Sequence, residues 1–156
     1  MDLSPDEFAG IADLFGGLTR EELAEAVENL AARQGVDFGR EALDARVETA
    51  RLKYYLLAVQ REGKTVLAPG PTALPTLPDH AEDLPHMMEV SERAIDPERL
   101  AEAVHERLAA DAERAIANDE RDRIDVLIGV SYDAEAWGPV ELEDIREQLR
   151  DSLEAG

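Results

Sequence analysis

Apolar residues fall along this chain in two periods, and the switch from one to the other marks its centre. Over residues 40–54, Leu43, Val47, Ala50 and Tyr54 recur at spacings of four, three and four, which lines one face of an α-helix. From Leu56 the spacing tightens. LLAVQ and TVLAP flank the polar tetrad Arg61, Glu62, Gly63 and Lys64, and Gly63 can take the positive φ of a tight hairpin. The pattern predicts a helix that runs into strand, turn and strand.

Two helices are expected upstream. Ser4, with Pro5 at the first helical position and Glu7 three residues after Ser4, supplies both halves of a capping box, and the buried stripe is Phe8, Ile11, Ala12, Leu14 and Phe15. Gly16 and Gly17 end that helix. Thr19 and Glu22 repeat the capping signature for a second, striped by Leu23, Ala26, Val27, Leu30 and Ala31 and closed by Gly35.

Downstream, residues 69–85 carry five prolines, which disfavour helix and favour an extended path. Leu74, Leu77 and Leu84 punctuate this stretch and are expected to lie against the domain surface, making it a strap. Asp96-Pro97 then starts a long helix striped by Leu100, Ala101, Val104, Leu108, Ala112, Ala115 and Ile116. Asn118-Asp119 interrupts it. A further helix carries Ile124, Leu127 and Ile128, Gly138-Pro139 breaks the chain after Trp137, and a last helix uses Leu142, Ile145, Leu149 and Leu153. The expected fold is mainly α with one small β-hairpin. Its expected parts are an N-terminal domain over 1–70, a Pro-rich connector packed on the surface over 71–95, and a C-terminal helical region over 96–156.

Three short helices followed by a hairpin, the third running directly into the first strand, is the order of elements in a winged helix. Residues 4–70 resemble a winged helix-turn-helix domain, with LTREELAEAVENLAARQG in the place of the second helix and VDFG as the turn. The likeness is one of order and patterning.

Charge then changes the picture. The formal net charge is −20, from 36 acidic and 16 basic residues, and the basic set is fourteen arginines with only Lys53 and Lys64 as lysines. So many carboxylates repel one another in dilute buffer, whereas molar salt screens charge over about 3 Å. An acidic, lysine-poor surface with abundant alanine fits a cytoplasm rich in salt. The phrases MDLSPDEFAGIADLFGGLTREEL, PGPTALPTLP and VSYDAEAWGPVEL make nearly the whole chain similar to small acidic haloarchaeal proteins of unknown function. That resemblance implies a halophilic, cytoplasmic protein and assigns no site.

Chemistry is sparse. The chain has no cysteine, so disulfides, thiolate nucleophiles and cysteine zinc sites are excluded. No apolar run approaches the length of a membrane span, and residues 1–18 are broken by Asp2, Asp6, Glu7 and Asp13. His80 and His86 have a nominal zinc spacing but straddle Pro85, and the Met87-Met88 pair beside His86 is too small a set for a copper site. Asp119, Asp122 and Asp125 lack the glycine of a calcium loop. Ser4, Ser91, Ser131 and Ser152 stand outside any nucleophile elbow, and Gly16-Gly17 is not followed by a phosphate-loop lysine. No enzyme, cofactor or metal is expected.

What remains is a binding surface. Residues 1–70 carry net −5 and residues 71–156 net −15, but 33–64 reverse to +2. By charge alone that region favours DNA, read by Arg40, Arg51 and Lys53 on the helix and by Arg61 and Lys64 on the wing. The helical wheel opposes this. With the Leu43/Val47/Ala50/Tyr54 stripe turned inward, the outer face carries Glu41, Asp44, Ala45, Glu48, Thr49 and Leu52, and its three carboxylates repel phosphates. A protein-interaction or adaptor module whose partner touches Ala45, Glu48 and Leu52 is therefore the leading expectation, with a DNA-binding regulator as the alternative. Membrane binding is not expected.

Overall fold

The computed structural model describes residues 2–155. The chain separates into two compact units, one ending at Ile95 and the other beginning at Asp96.

The first unit contains α1 (Pro5–Leu14), α2 (Arg20–Arg33), α3 (Arg40–Leu52), β1 (Leu56–Arg61), β2 (Lys64–Pro69), a single 3-10 turn (Ala81–Asp83) and the short α4 (Leu84–Met87). Both capping boxes form. Ser4 Oγ accepts from the Glu7 N–H at 3.1 Å while Glu7 Oε1 accepts from the Ser4 N–H at 3.0 Å, and Thr19 and Glu22 do the same at 3.2 and 2.9 Å. The stripes of α1 and α2 meet those of α3 and the hairpin in one apolar core that holds Phe8, Ile11, Phe15, Leu23, Leu30, Leu43, Val47 and Leu56.

The third stripe needs one correction. Leu43, Val47, Ala50 and Tyr54 are all buried, yet the helix stops at Leu52 and Tyr54 is left-handed, with φ 64°. The turn at Tyr54 redirects the chain from α3 into β1 while its side chain stays in the interior. The strands pair antiparallel from Leu56 opposite Pro69 to Arg61 opposite Lys64. Glu62 and Gly63, at φ 52° and 80°, form the two-residue turn, whose left-handed residues match the twist of the strands. A single bridge, Leu18 with Leu67, ties the α1–α2 connection to the outer edge of β2.

The Pro-rich segment is a strap, but a different one from that expected. Its leucines do not hold it down: Leu74 is 76% exposed and Leu77 44%, and only Leu84 is buried. The backbone holds it instead. The Thr76 N–H donates to the Asp6 carbonyl at 3.0 Å, the Leu74 N–H to Asp6 Oδ1 at 2.9 Å, and the Thr72 hydroxyl to the Lys53 carbonyl at 2.8 Å. Gly10, in the middle of α1, makes this approach possible, because a Cβ there would lie 2.0 Å from the Thr76 carbonyl oxygen. Residues 81–87 are also helical, not extended. Pro85 is tolerated because it occupies the first turn, where its missing N–H has no partner to lose.

The second unit is three helices, α5 (Pro97–Ala117), α6 (Arg121–Trp137) and α7 (Glu143–Ala155), each packed on the other two. Asp96 caps α5, and Asp119, at φ 53°, turns the chain between α5 and α6. Val104, Leu108, Ala112, Ile124, Leu127, Ala134, Leu142 and Leu149 form its interior.

Candidate interaction face on the third helix

The three residues expected to touch a partner occupy positions i, i+3 and i+7 of α3 and so share its outer face. Ala45 and Leu52 are exposed, Leu52 by 43%. Glu48 is half-buried and engaged: Arg51 Nη2 donates to its Oε1 at 2.7 Å, and Arg20, from the start of α2, donates to its Oε2 at 3.2 Å. The bonds from Arg51 and then from Arg20 outweigh the effect of burial and hold the Glu48 carboxyl below the usual glutamate range. Arg20 also approaches Asp44 at 4.0 Å.

The cations proposed for DNA are distributed unevenly. Arg40 is claimed by two carboxylates on one face of α2, with Nη2 at 2.7 Å from Glu28 Oε1 and Nη1 at 3.1 Å from Glu21 Oε2. Arg51 is turned onto Glu48. Arg61 lies 3.5 Å from Glu62. Lys53, at the end of α3, and Lys64, at the hairpin tip, are exposed, and neither forms an ion pair among the described residues. The folded chain therefore offers no run of uncommitted arginines along α3.

Two hollows border this helix. One, of about 290 Å³, is lined by Leu3, Pro5, Phe8, Ala45, Arg46 and Thr49, and is mostly apolar. The other, of about 340 Å³, lies among Arg20, Glu48, Arg51, Ala58, Thr65 and Leu67. Sequence reasoning found Ala45 but not the contribution of Leu3, Pro5 and Phe8, because a helical wheel describes one element and this hollow is made by two. The signal that was available is the capping box at Ser4, which fixes where α1 begins and so sets Leu3 and Pro5 at its rim.

A third hollow, in the second unit, is lined by Glu98, Glu102, His105 and Glu141 among others. His80, His86 and His105 are all exposed. No group of three or more histidine and carboxylate side chains converges as a metal site among the described residues, and no described helix is long and apolar enough to cross a membrane.

Over residues 6–154 the sequence matches a family of unknown function (DUF7109), and the chain belongs to that family. No curated protein and no solved structure matches it.

Proposed function

We propose that the protein is a non-enzymatic adaptor module of a salt-rich cytoplasm, and that the outer face of α3 receives another protein. The observation that carries this reading is the pairing of an apolar hollow beside Ala45 with α3 arginines already committed to carboxylates, Arg40 to those of α2 and Arg51 to Glu48. A surface built this way offers a partner apolar area at Ala45 and Leu52, with the buried Leu3 and Phe8 beneath the hollow. Toward a phosphate backbone it presents Glu41, Asp44 and Glu48. Counterion release, which drives non-specific binding to nucleic acid, also fades in concentrated salt.

The acidic, lysine-poor composition supports the salt-rich setting, and the order α1, α2, α3, β1, β2 supports a winged-helix-like frame for the face. The DNA-binding alternative retains one observation in its favour, the exposed Lys53 and Lys64. Leu52→Asp discriminates between them. The substitution puts a charge on an exposed position, so the melting temperature should hold, while a partner captured by the wild type from a halophilic lysate should be lost. Unfolding of Leu52→Asp, or retention of the same partner, contradicts the adaptor reading.

A further inference from the structure

The hairpin has two edges, and only one of them is closed. At the outer edge of β2 the Leu67 N–H donates to the Leu18 carbonyl at 2.7 Å and the Leu67 carbonyl accepts the Leu18 N–H at 3.0 Å, while Pro69 has no N–H to offer. Leu67 therefore turns its backbone groups away from β1. The alternation of an antiparallel pair fixes the rest: Leu57, Val59 and Arg61 exchange bonds with Ala68, Val66 and Lys64, and Leu56, Ala58 and Gln60 point their N–H and C=O groups away from β2. The Gly70 N–H on the Tyr55 carbonyl, at 2.9 Å, keeps the same phase. The outward groups of Ala58 and Gln60 meet no hydrogen-bond partner among the described residues, and Gln60 is exposed and Ala58 half-buried. Sheet edges are commonly guarded by a lysine, a proline or a bulge. Residues 55–60 have none of these, and the register runs one to one along the strand.

We propose that the β1 edge is a self-association surface, on which a second copy of this chain lays its own β1 antiparallel across a two-fold axis. What can cover an edge is set by its alternating donors and acceptors, which another extended strand matches residue for residue. Identical antiparallel strands do this with two-fold symmetry. Because Leu56 is buried, the pairing rests on Ala58 opposite Gln60 of the second copy and Gln60 opposite its Ala58, both hydrogen-bonded pairs, and it centres on Val59. Charge favours the same occupant. Two copies of net −20 repel, but residues 55–60 carry no charge, so the copies meet along an uncharged line. The antiparallel arrangement also brings each hairpin tip toward the start of the other β1. There Glu62, with its side chain 78% exposed, approaches the exposed Lys53, which forms no ion pair within its own chain among the described residues. Molar salt screens the repulsion that remains, so association strengthens as KCl rises. This surface does not depend on a partner at α3.

The test is the mass of the full chain in solution, measured by size exclusion with light scattering over a series of protein and KCl concentrations. A species of twice the chain's mass is expected in molar KCl, its share growing with both concentrations. Ala58→Pro and Gln60→Pro each remove an outward N–H and no bond of the hairpin, so the helical circular dichroism should be retained while the dimer is lost. Thr65→Pro removes an outward N–H from β2 instead and should leave the dimer in place. A wild type that stays monomeric across the series overturns the proposal, as does a dimer that persists in folded Gln60→Pro or disappears in folded Thr65→Pro. If the proline variants unfold, hydrogen exchange on the wild type decides. The Ala58 and Gln60 amides should slow as protein concentration rises in molar KCl, and rates independent of concentration overturn the proposal equally.

Discussion

Arginine meets carboxylate in both units of this protein, but at different depths. In the first unit the pairs that join α2 to α3 lie on the outside, Arg40 at 46% side-chain exposure with Glu28 at 51%, while Glu22 of α2 makes a deeper pair with Arg93, at 22% and 14%. In the second unit they are sunk between helices. Arg146 of α7 is 10% exposed, donates to Glu135 Oε1 at 2.7 Å and to Ser131 Oγ at 3.1 Å, and lies 4.2 Å from the centre of the Tyr132 ring. Glu135 Oε2 also accepts the Leu142 N–H, which fixes the entry to α7. Asp111 of α5, likewise buried, takes Arg107 at 3.0 Å and Arg123 of α6 at 3.6 Å. Exposed pairs contribute little to stability and are screened by salt, whereas buried ones are screened far less and are costly to break. The outer pairs thus add little to stability, and the inner pairs are the ones whose loss the three-helix packing should feel.

The largest effect expected is in the first unit and involves no charge. Gly10→Ala would drive a methyl into the Thr76 carbonyl, and since both partners are backbone, relief requires the strap or α1 to move. We expect a loss of about 1–3 kcal/mol, the range for overpacking, in place of the gain that alanine gives at an ordinary helical glycine. An unchanged or raised denaturation midpoint would show that the strap is loosely held.

Arg146→Met comes next. It leaves Glu135 with only the Leu142 N–H and Ser131 with only the Ile128 carbonyl, and the loss of charge-assisted hydrogen bonds should cost about 2 kcal/mol and persist in molar KCl. Arg40→Met, at the exposed counterpart, should leave the melting temperature in molar KCl almost where it was. Equal sensitivity of the two variants would dissolve the distinction between outer and inner pairs.

A smaller and more general effect concerns the wild type. If the surface is adapted to brine, the melting temperature rises as KCl goes from about 0.1 M, where charges are felt over about 10 Å, toward molar concentrations. A flat or falling series would leave the charge of −20 without that explanation.

Much of the frame is legible because local rules govern it. Ser4 with Glu7 and Thr19 with Glu22 announce helix starts through bonds between neighbours, Glu62-Gly63 announces a turn through its backbone, and the stripes of α1, α2, α5 and α6 follow the helical period. Tyr54 kept the apolar spacing while leaving the helix, because burial does not require a helical φ. The orientation of Leu74 and Leu77 was not readable for a different reason. It depends on which edge of an extended segment meets α1, and that is decided by Asp6 and Gly10, more than sixty residues earlier. The cations of α3 show the same limit. Arg40 and Arg51 stand out as charges in sequence, but their availability depends on Glu21 and Glu28 of another helix and on the side-chain choice of Glu48.

On the adaptor reading these carboxylates keep nucleic acid off α3. Titration of the wild type into a fluorescent random-sequence DNA duplex, in the lowest KCl that preserves the fold, measures this directly, with Glu21→Gln/Glu28→Gln/Glu48→Gln as the comparison. No saturable rise in anisotropy is expected for the wild type and a clear rise for the triple variant, whose freed Arg20, Arg40 and Arg51 would meet phosphate. Saturable binding by the wild type that disappears in Arg61→Glu/Lys64→Glu would overturn the adaptor reading and put the DNA-binding regulator in its place.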